Sequence, residues 1–378
     1  MRNARWLSLY LGLCTALLLP PAWSKAPEAP GTRTETGTLE GAPWRLDMPA
    51  HWNGELVMYA HGFEPIGTPR PDPWPGNAWT EALTQAGYAV AQSGYSSQGW
   101  AVTDAIADLE RLRAQFVAQH PDTRHSWIIG FSMGGAVAIG TLERLPQHYS
   151  GGVSMCGANL PGDVLAAEML TSLVAFEYFF PDAKGLPEGG LISPAAAAMP
   201  QGETYDAITA AIESNPVAAA ALSRRLELKP GELAGTISLH TLVFQELVKR
   251  SGGVPVSNQQ TVYSGFGDDT AFNAGVRRIS ADPEAAVKLA RELAMTGALQ
   301  RPLVLQYNLD DPSVTPRFEP VYPALARKAG AASQLAQLPP VGSGHCQFTP
   351  QQVLDAVAMQ SAAARATPAG STGEAQRP

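Results

Sequence analysis

The sequence predicts an α/β fold: a mostly parallel sheet covered by helices on both faces, with a helical segment inserted late in the chain. Three observations predict it. Short apolar runs alternate with amphipathic helical patterns, a glycine-flanked serine sits between one such run and one such helix, and a long stretch follows in which helices continue but strand signals stop. With 378 residues and 45% hydrophobic content, the chain can bury a core of the size this architecture needs.

At the start, Arg2 and Arg5 precede an apolar run from Trp6 to Leu19, then Pro20, Pro21 and Ala22-Trp23-Ser24. That order of charge, apolar run and small residues reads as a cleaved signal peptide over residues 1–24. The run of about 14 residues falls short of the ~20 that span a bilayer, so no stable membrane anchor is expected. Leu13 stands where a small residue should precede a lipid-modified Cys14. Export, to a periplasm or beyond the cell, is therefore the expectation.

Loss of Arg2 and Arg5 takes the net charge from −8 to about −10, and no basic excess remains for nucleic acid. Residues 25–34 are Pro-rich and polar and are expected to form a flexible linker; residues 364–378 are expected to form a disordered tail.

Between these ends, Glu55 to Ala60, Tyr88 to Ser93, Ser126 to Gly130, Gly151 to Met155 and Pro302 to Tyr307 read as buried strands. Helical patterns separate most of them. Asp104 to Gln119 places Ile106, Leu109, Leu112, Phe116 and Val117 on one face, and Met133 to Leu145 carries Val137, Ile139, Leu142 and Leu145. Strand-helix-strand repetition implies parallel pairing. These elements assign residues 35–159 and 300–363 to the sheet domain.

Residues 160–299 break the rhythm. Val164 to Phe180, Ala207 to Ile212, Glu232 to Lys249 and Pro283 to Met295 are helical in pattern, with Pro and Gly between them and no buried strand. This stretch is expected to be a helical cap; a separate second domain is the alternative, opposed by the strand signals that resume afterwards.

Ser126-Trp127-Ile128-Ile129 runs into Gly130-Phe131-Ser132-Met133-Gly134-Gly135, and a helix follows at once. In this strand-turn-helix context, Gly-x-Ser-x-Gly marks a serine on a strained turn, with glycines where side chains would strike the neighbouring strand and helix. The amide of Met133 would then sit at a helix N-terminus, where negative charge is favoured.

Upstream, Tyr59-Ala60-His61-Gly62-Phe63 ends an earlier strand. Together with the serine turn, these residues resemble the α/β-hydrolase superfamily. The resemblance implies that the Phe63 amide is the second oxyanion donor, although a single glycine stands here in place of a Gly-rich run. It also implies an acid after the strand Pro302 to Tyr307 and a histidine on a late loop. Asn308-Leu309-Asp310-Asp311-Pro312-Ser313-Val314-Thr315-Pro316 offers two acids. The family pattern of an Asp followed by Val and Pro favours Asp311, with Asp310 the alternative. His345, in the Gly-rich loop Gly342-Ser343-Gly344-His345-Cys346, is the expected base. The other histidines, His51, His61, His120, His125, His148 and His240, are assigned surface roles by default.

Ser132, Asp311 and His345 occur in the chain order this fold requires. Their chemistry is complementary: the imidazole takes the hydroxyl proton, the carboxylate fixes the imidazole, and the Met133 and Phe63 amides receive the oxyanion. No metal and no organic cofactor is expected. The remaining cysteines, Cys156 after one central strand and Cys346 beside His345, are candidates for a disulfide in an oxidising compartment; two buried thiols are the alternative. The adjacent His345-Cys346 is similar to the tannase and feruloyl esterase family. There a second cysteine directly precedes the nucleophile, where this chain has Phe131.

The reading is a secreted serine hydrolase acting on a small-molecule ester. A peptidase using the same three side chains, with Glu168 or Glu177 gripping a substrate amine, is the second reading. A binding protein on a hydrolase scaffold is the third. Trp74, Trp79, Trp100, Phe63 and the cap residues Phe176, Tyr178, Phe179 and Phe180 either line an apolar pocket or brace the fold. Nothing in the sequence specifies an oligomeric state.

Overall fold

A computed structural model of the chain describes residues 31–229 and 231–366. The expected signal peptide, the first part of the expected linker and residues 367–378 of the expected tail lie outside the described residues.

One eight-stranded sheet runs in the order β1 (Arg33–Leu39), β2 (Ala42–Met48), β4 (Ala89–Ser93), β3 (Glu55–Ala60), β5 (His125–Phe131), β6 (Gly151–Met155), β7 (Leu303–Gln306) and β8 (Leu335–Gln337). β1, β2 and β4 pair antiparallel, and β4, β3, β5, β6, β7 and β8 are mutually parallel. The five strands legible in the sequence form the parallel centre. β1 and β2 carried no apolar run because they form an edge hairpin, largely polar in β1, closed by Glu40 and Gly41 with φ of 49° and 84°. Two left-handed residues in a two-residue loop match the twist of a tight hairpin. Arg33 and Thr34 consequently belong to β1 rather than to a linker.

Helix α1 (Ala78–Gln85) connects β3 to β4, α2 (Val102–Gln119) connects β4 to β5, and α3 (Met133–Arg144) connects β5 to β6. Seven helices among the described residues lie between β6 and β7: α4 (Gly162–Phe179), α5 (Pro194–Ala197), α6 (Gln201–Ser214), α7 (Pro216–Leu226), α8 (Leu233–Ser251), α9 (Asp269–Gly275) and α10 (Pro283–Glu292). α11 (Val321–Lys328) leads into β8, and α12 (Pro350–Ala366) follows it, extending past the start expected for the tail. No helix among the described residues is long and apolar enough to cross a membrane.

All six residues of β3 are buried because the sheet is covered on both faces. Leu56 and Met58 pack with Leu109 and Val137 of α2 and α3, while Val57 and Tyr59 pack with Leu83 of α1 and Val353 of α12. Alternate side chains of one strand thus serve two cores. Leu173 and Phe176 of α4 and Ile237 and Phe244 of α8 belong to the same continuous core as α2 and α3, so the inserted helices share the core of the sheet. Phe176 is fully buried there. Tyr178 and Phe179 pack on Phe272, which stacks on Phe266 at 4.0 Å, so these aromatics hold the cap together.

His240 departs from its surface assignment. It lies on α8 at 3% exposure, with Nδ1 2.7 Å from the Ser172 hydroxyl of α4. Burial is the largest cause that pushes its imidazole down from 6.5 to about 3. Below about pH 6.5 the unfolded chain therefore takes up a proton that the folded chain refuses until about pH 3. This contribution to stability is complete above pH 6.5 and falls as pH drops toward 3, by about 1.4 kcal/mol per unit. Urea unfolding between pH 7 and 4 should show that slope, and His240→Gln should lose one histidine's share of it. An unchanged slope in the variant would mean that His240 titrates normally.

Candidate active site

Because the central strands are parallel, their carboxyl ends share one edge of the sheet, and every candidate site residue follows such an end. Phe63 lies beyond β3, Ser132 beyond β5, Cys156 beyond β6, Asp311 beyond β7 and His345 beyond β8. The chain passes from β3 to β4 on one side and returns to β5 on the other, so the β3/β5 pair is a topological switch point, the place at which open α/β sheets bind their ligands.

At this point β5 turns into α3 through Ser132, held at φ 57° and ψ −123°. An L-residue with positive φ is uncommon and persists where its surroundings fix it. The glycines show what fixes it: a Cβ on Gly130 would lie 1.8 Å from the Gly134 carbonyl oxygen, and one on Gly134 would lie 2.1 Å from that of Ala60. Helix and strand approach too closely for any side chain. Gly134→Ala is expected to abolish soluble, probe-reactive protein, checked by expression yield and active-site labelling. Normal yield and labelling would show that the contact relaxes.

His345 Nε2 lies 2.8 Å from the Ser132 hydroxyl, and His345 Nδ1 lies 2.7 Å from Asp311 Oδ2. Asp311 is 2% exposed, and its other oxygen accepts from the amides of Ser313 and Val314 at 2.8 and 3.0 Å. Three stretches distant in sequence thus meet in one hydrogen-bonded line. Of the two neighbouring acids, Asp311 meets the imidazole. Asp310 has other partners: it accepts from the Gly344 amide and the Ser343 hydroxyl, both at 2.9 Å, and pairs with Lys229. The Lys229 contact is the largest cause holding its carboxyl down to about 2.

The Phe63 turn lies beside the serine, since a Cβ on Gly62 would stand 3.2 Å from that of Ser132. The Glu64 carbonyl accepts from the Gly99 amide at 2.7 Å, and the Glu64 carboxylate pairs with Arg70 at 2.8 Å. His61 is stacked on Tyr95 at 3.9 Å, with Nδ1 2.8 Å from the Gly62 carbonyl, and desolvation pushes its imidazole down to about 3. It is a neutral structural ring. Met133 is buried and opens α3, with its amide at the helix N-terminus. Trp79 stacks on Phe131 at 4.1 Å and donates to the Phe348 carbonyl at 3.0 Å, so this aromatic braces the turn.

Cys156 and Cys346 are disulfide-bonded, tying the end of β6 to the residue after His345. Asn308 holds the same loop from below, donating to the Val341 and Gln347 carbonyls at 2.7 and 3.2 Å. Asn308 carries no motif of its own in the sequence; the signal is an amide side chain directly after the apolar run Pro302 to Tyr307. Behind the turn, Ser154 donates to Asn159 at 2.7 Å, and Asn159 donates to the Tyr307 hydroxyl at 2.8 Å. In the cap, Glu168 is paired with Arg317 at 2.8 Å, and Glu177 with Arg277 at 3.3 Å. No group of three or more His, Cys, Asp or Glu side chains placed to hold a metal ion occurs among the described residues.

No family model matches the chain, and no curated protein matches its sequence. Among solved structures it is similar to an acylaminoacyl peptidase from Pyrococcus horikoshii, at 11% identity and a TM-score of 0.46. That match covers 90% of this chain and 42% of the other, so the chain spans less than half the peptidase. Brefeldin A esterase, a bacterial homologue of human hormone sensitive lipase, is 16% identical with a TM-score of 0.46, over 93% of this chain and 80% of that one. An esterase from Pyrococcus furiosus is 14% identical with a TM-score of 0.43, over 87% and 88% of the two chains. With its serine-bearing turn at the sheet's switch point and a helical cap between β6 and β7, the chain has the α/β-hydrolase fold.

Proposed function

We propose that this chain is an exported serine hydrolase that cleaves carboxylic esters. The observation that carries the reading is the unbroken hydrogen-bond path from buried Asp311 through His345 to Ser132, at 2.7 and 2.8 Å. In this reading His345 Nε2 accepts the Ser132 proton as Oγ attacks the ester carbonyl, while Asp311 holds Nδ1–H and stabilises the imidazolium. The tetrahedral oxyanion is received by the amides of Met133 and Phe63; one such donor contributes about 3 to 4 kcal/mol to the barrier reduction. His345 returns the proton to the leaving alcohol, and water, activated by the same imidazole, releases the acid from the acyl-enzyme.

An ester is favoured over an aminoacyl amide because Glu168 and Glu177 are both engaged by arginines and offer no free carboxylate to a substrate ammonium. Labelling with a fluorophosphonate followed by peptide mass mapping should place the adduct on Ser132. Absence of an adduct would favour a binding protein. A panel of short esters and aminoacyl amides separates the remaining readings, and turnover of amides alone would establish the peptidase. Export rests on residues 1–24, and sequencing the mature N-terminus tests it: a mature protein still beginning at Met1 would overturn that part.

A further inference from the structure

We infer that Asp310 is the positioning residue for His345, and that Lys229 of the cap sets how firmly it holds. The inference rests on the hydrolase reading only for its kinetic arm. The loop carrying His345 has little stiffness of its own: Gly342 and Gly344 have φ of 68° and 94°, and only Ser343 lies between them. Such a segment loses much conformational freedom when fixed, so something must fix it for the imidazole to stay within hydrogen-bonding distance of Ser132.

On the C-terminal side of His345 the disulfide at Cys346 does this. On the N-terminal side Asn308 and the Leu309 amide hold the loop at Val341 and Gly342, and Asp310 takes hold of the two residues next to His345. Its Oδ1 accepts from the Gly344 amide and its Oδ2 from the Ser343 hydroxyl, both at 2.9 Å. A carboxylate accepting from a backbone amide makes a stronger bond than a neutral acceptor would. Adjacent carboxylates thus divide the work: Asp311 holds the ring and Asp310 holds the backbone that carries it.

The third partner of Asp310 comes from the cap. Lys229, in the segment before α8, reaches Asp310 Oδ2 and lies 3.3 Å from the Ser343 hydroxyl. Its own amide is held by Glu232 at 2.7 Å, so the lysine is anchored at the head of α8. Further along, Thr236 of α8 lies 3.3 Å from the Pro312 carbonyl, in the loop that carries Asp311. At its other end α8 is fixed by Arg250, which pairs with Asp104 at 3.0 Å and donates to the Gln98 carbonyl at 2.7 Å. One helix therefore spans from the histidine loop to the loop paired with the Phe63 turn. The Lys229 contact is the exposed end of that strap, open to screening by salt.

The test combines kinetics on a short p-nitrophenyl ester with amide hydrogen exchange over residues 341–348. Asp310→Ala should lower kcat about tenfold, the scale of one lost charge-assisted hydrogen bond, with little change in KM. It should also raise exchange in that segment while the rest of the chain keeps its protection. Asp310→Asn retains an acceptor for the Gly344 amide but loses the charge that Lys229 pairs with, so it should recover part of both, to about the level of Lys229→Met. Lys229→Met should lower kcat about threefold and remove the salt dependence that the intact pair confers. Exchange and kcat that stay at wild-type levels in Asp310→Ala would overturn the inference, as would equal defects in Asp310→Ala and Asp310→Asn. The exchange readout needs no turnover, so an inactive wild type would refute the hydrolase reading and leave the positioning result to stand or fall by itself.

Discussion

Ser132→Ala is expected to reduce kcat on a short ester by about 10⁶-fold while leaving the urea midpoint unchanged, because the hydroxyl is the group that forms the covalent bond. Alanine keeps the Cβ and the backbone at φ 57°, so the turn itself is not relieved or strained further. His345→Ala should cost about as much, and the double variant hardly more, since the two side chains act as one unit and the second loss removes nothing that still works. Asp311→Asn should be milder, about 10⁴-fold, with the imidazole held in the wrong tautomer. Steady-state kinetics on purified protein decide this. Retention of even one per cent of wild-type turnover in Ser132→Ala, a barrier only about 3 kcal/mol higher than in the wild type, would mean another group attacks the ester. Multiplicative rather than saturating losses in the double variant would mean that Ser132 and His345 act separately.

What the sequence made legible follows from where pattern is local. β3 and β5 could be read because burial on both faces demands a continuous apolar run, and Ser132 because its turn needs glycines at fixed offsets. β1 could not, since Arg33–Leu39 is an edge strand with mostly polar, half-exposed side chains, and β8 is only three residues long. In the cap, α7 is hard to read because its Ala-rich run shows no clear apolar stripe, although Asn215 caps it and Pro216 begins it. The choice between Asp310 and Asp311 is a matter of burial and direction, which neighbours in sequence do not share. Lys229 meets Asp310 across 81 residues, a contact that no local signal announces. The burial of His240 is equally silent in the sequence, as its partner Ser172 lies on another helix 68 residues away.

The disulfide gives a prediction that moves stability and catalysis together, unlike the serine replacement. Cys156 and Cys346 are separated by 190 positions, and closing a loop of that length restricts the unfolded chain by about 5 kcal/mol in the chain-entropy model, an upper figure because residual structure in the unfolded state reduces it. Cys156→Ser with Cys346→Ser should therefore lower the free energy of unfolding by up to that amount, read from urea titrations, with a larger m-value because the unfolded chain without its cross-link exposes more surface. The catalytic effect has a different origin. Both cysteines hold left-handed backbone, φ 46° and 55°, a conformation that disfavours L-residues by about 1 to 2 kcal/mol. Once the cross-link is gone, Cys346 is free to relax, and His345 is its immediate neighbour. A displacement near 1 Å at the imidazole costs about a hundredfold in rate, so kcat should fall between about ten- and a hundredfold in the folded fraction of the variant. Titrating active sites with a fluorophosphonate separates the two effects, since it counts molecules still able to react. If the variant loses stability but each reactive molecule turns over at the wild-type rate, the bridge supports the fold alone, and Asn308 and Asp310 suffice to hold the histidine loop.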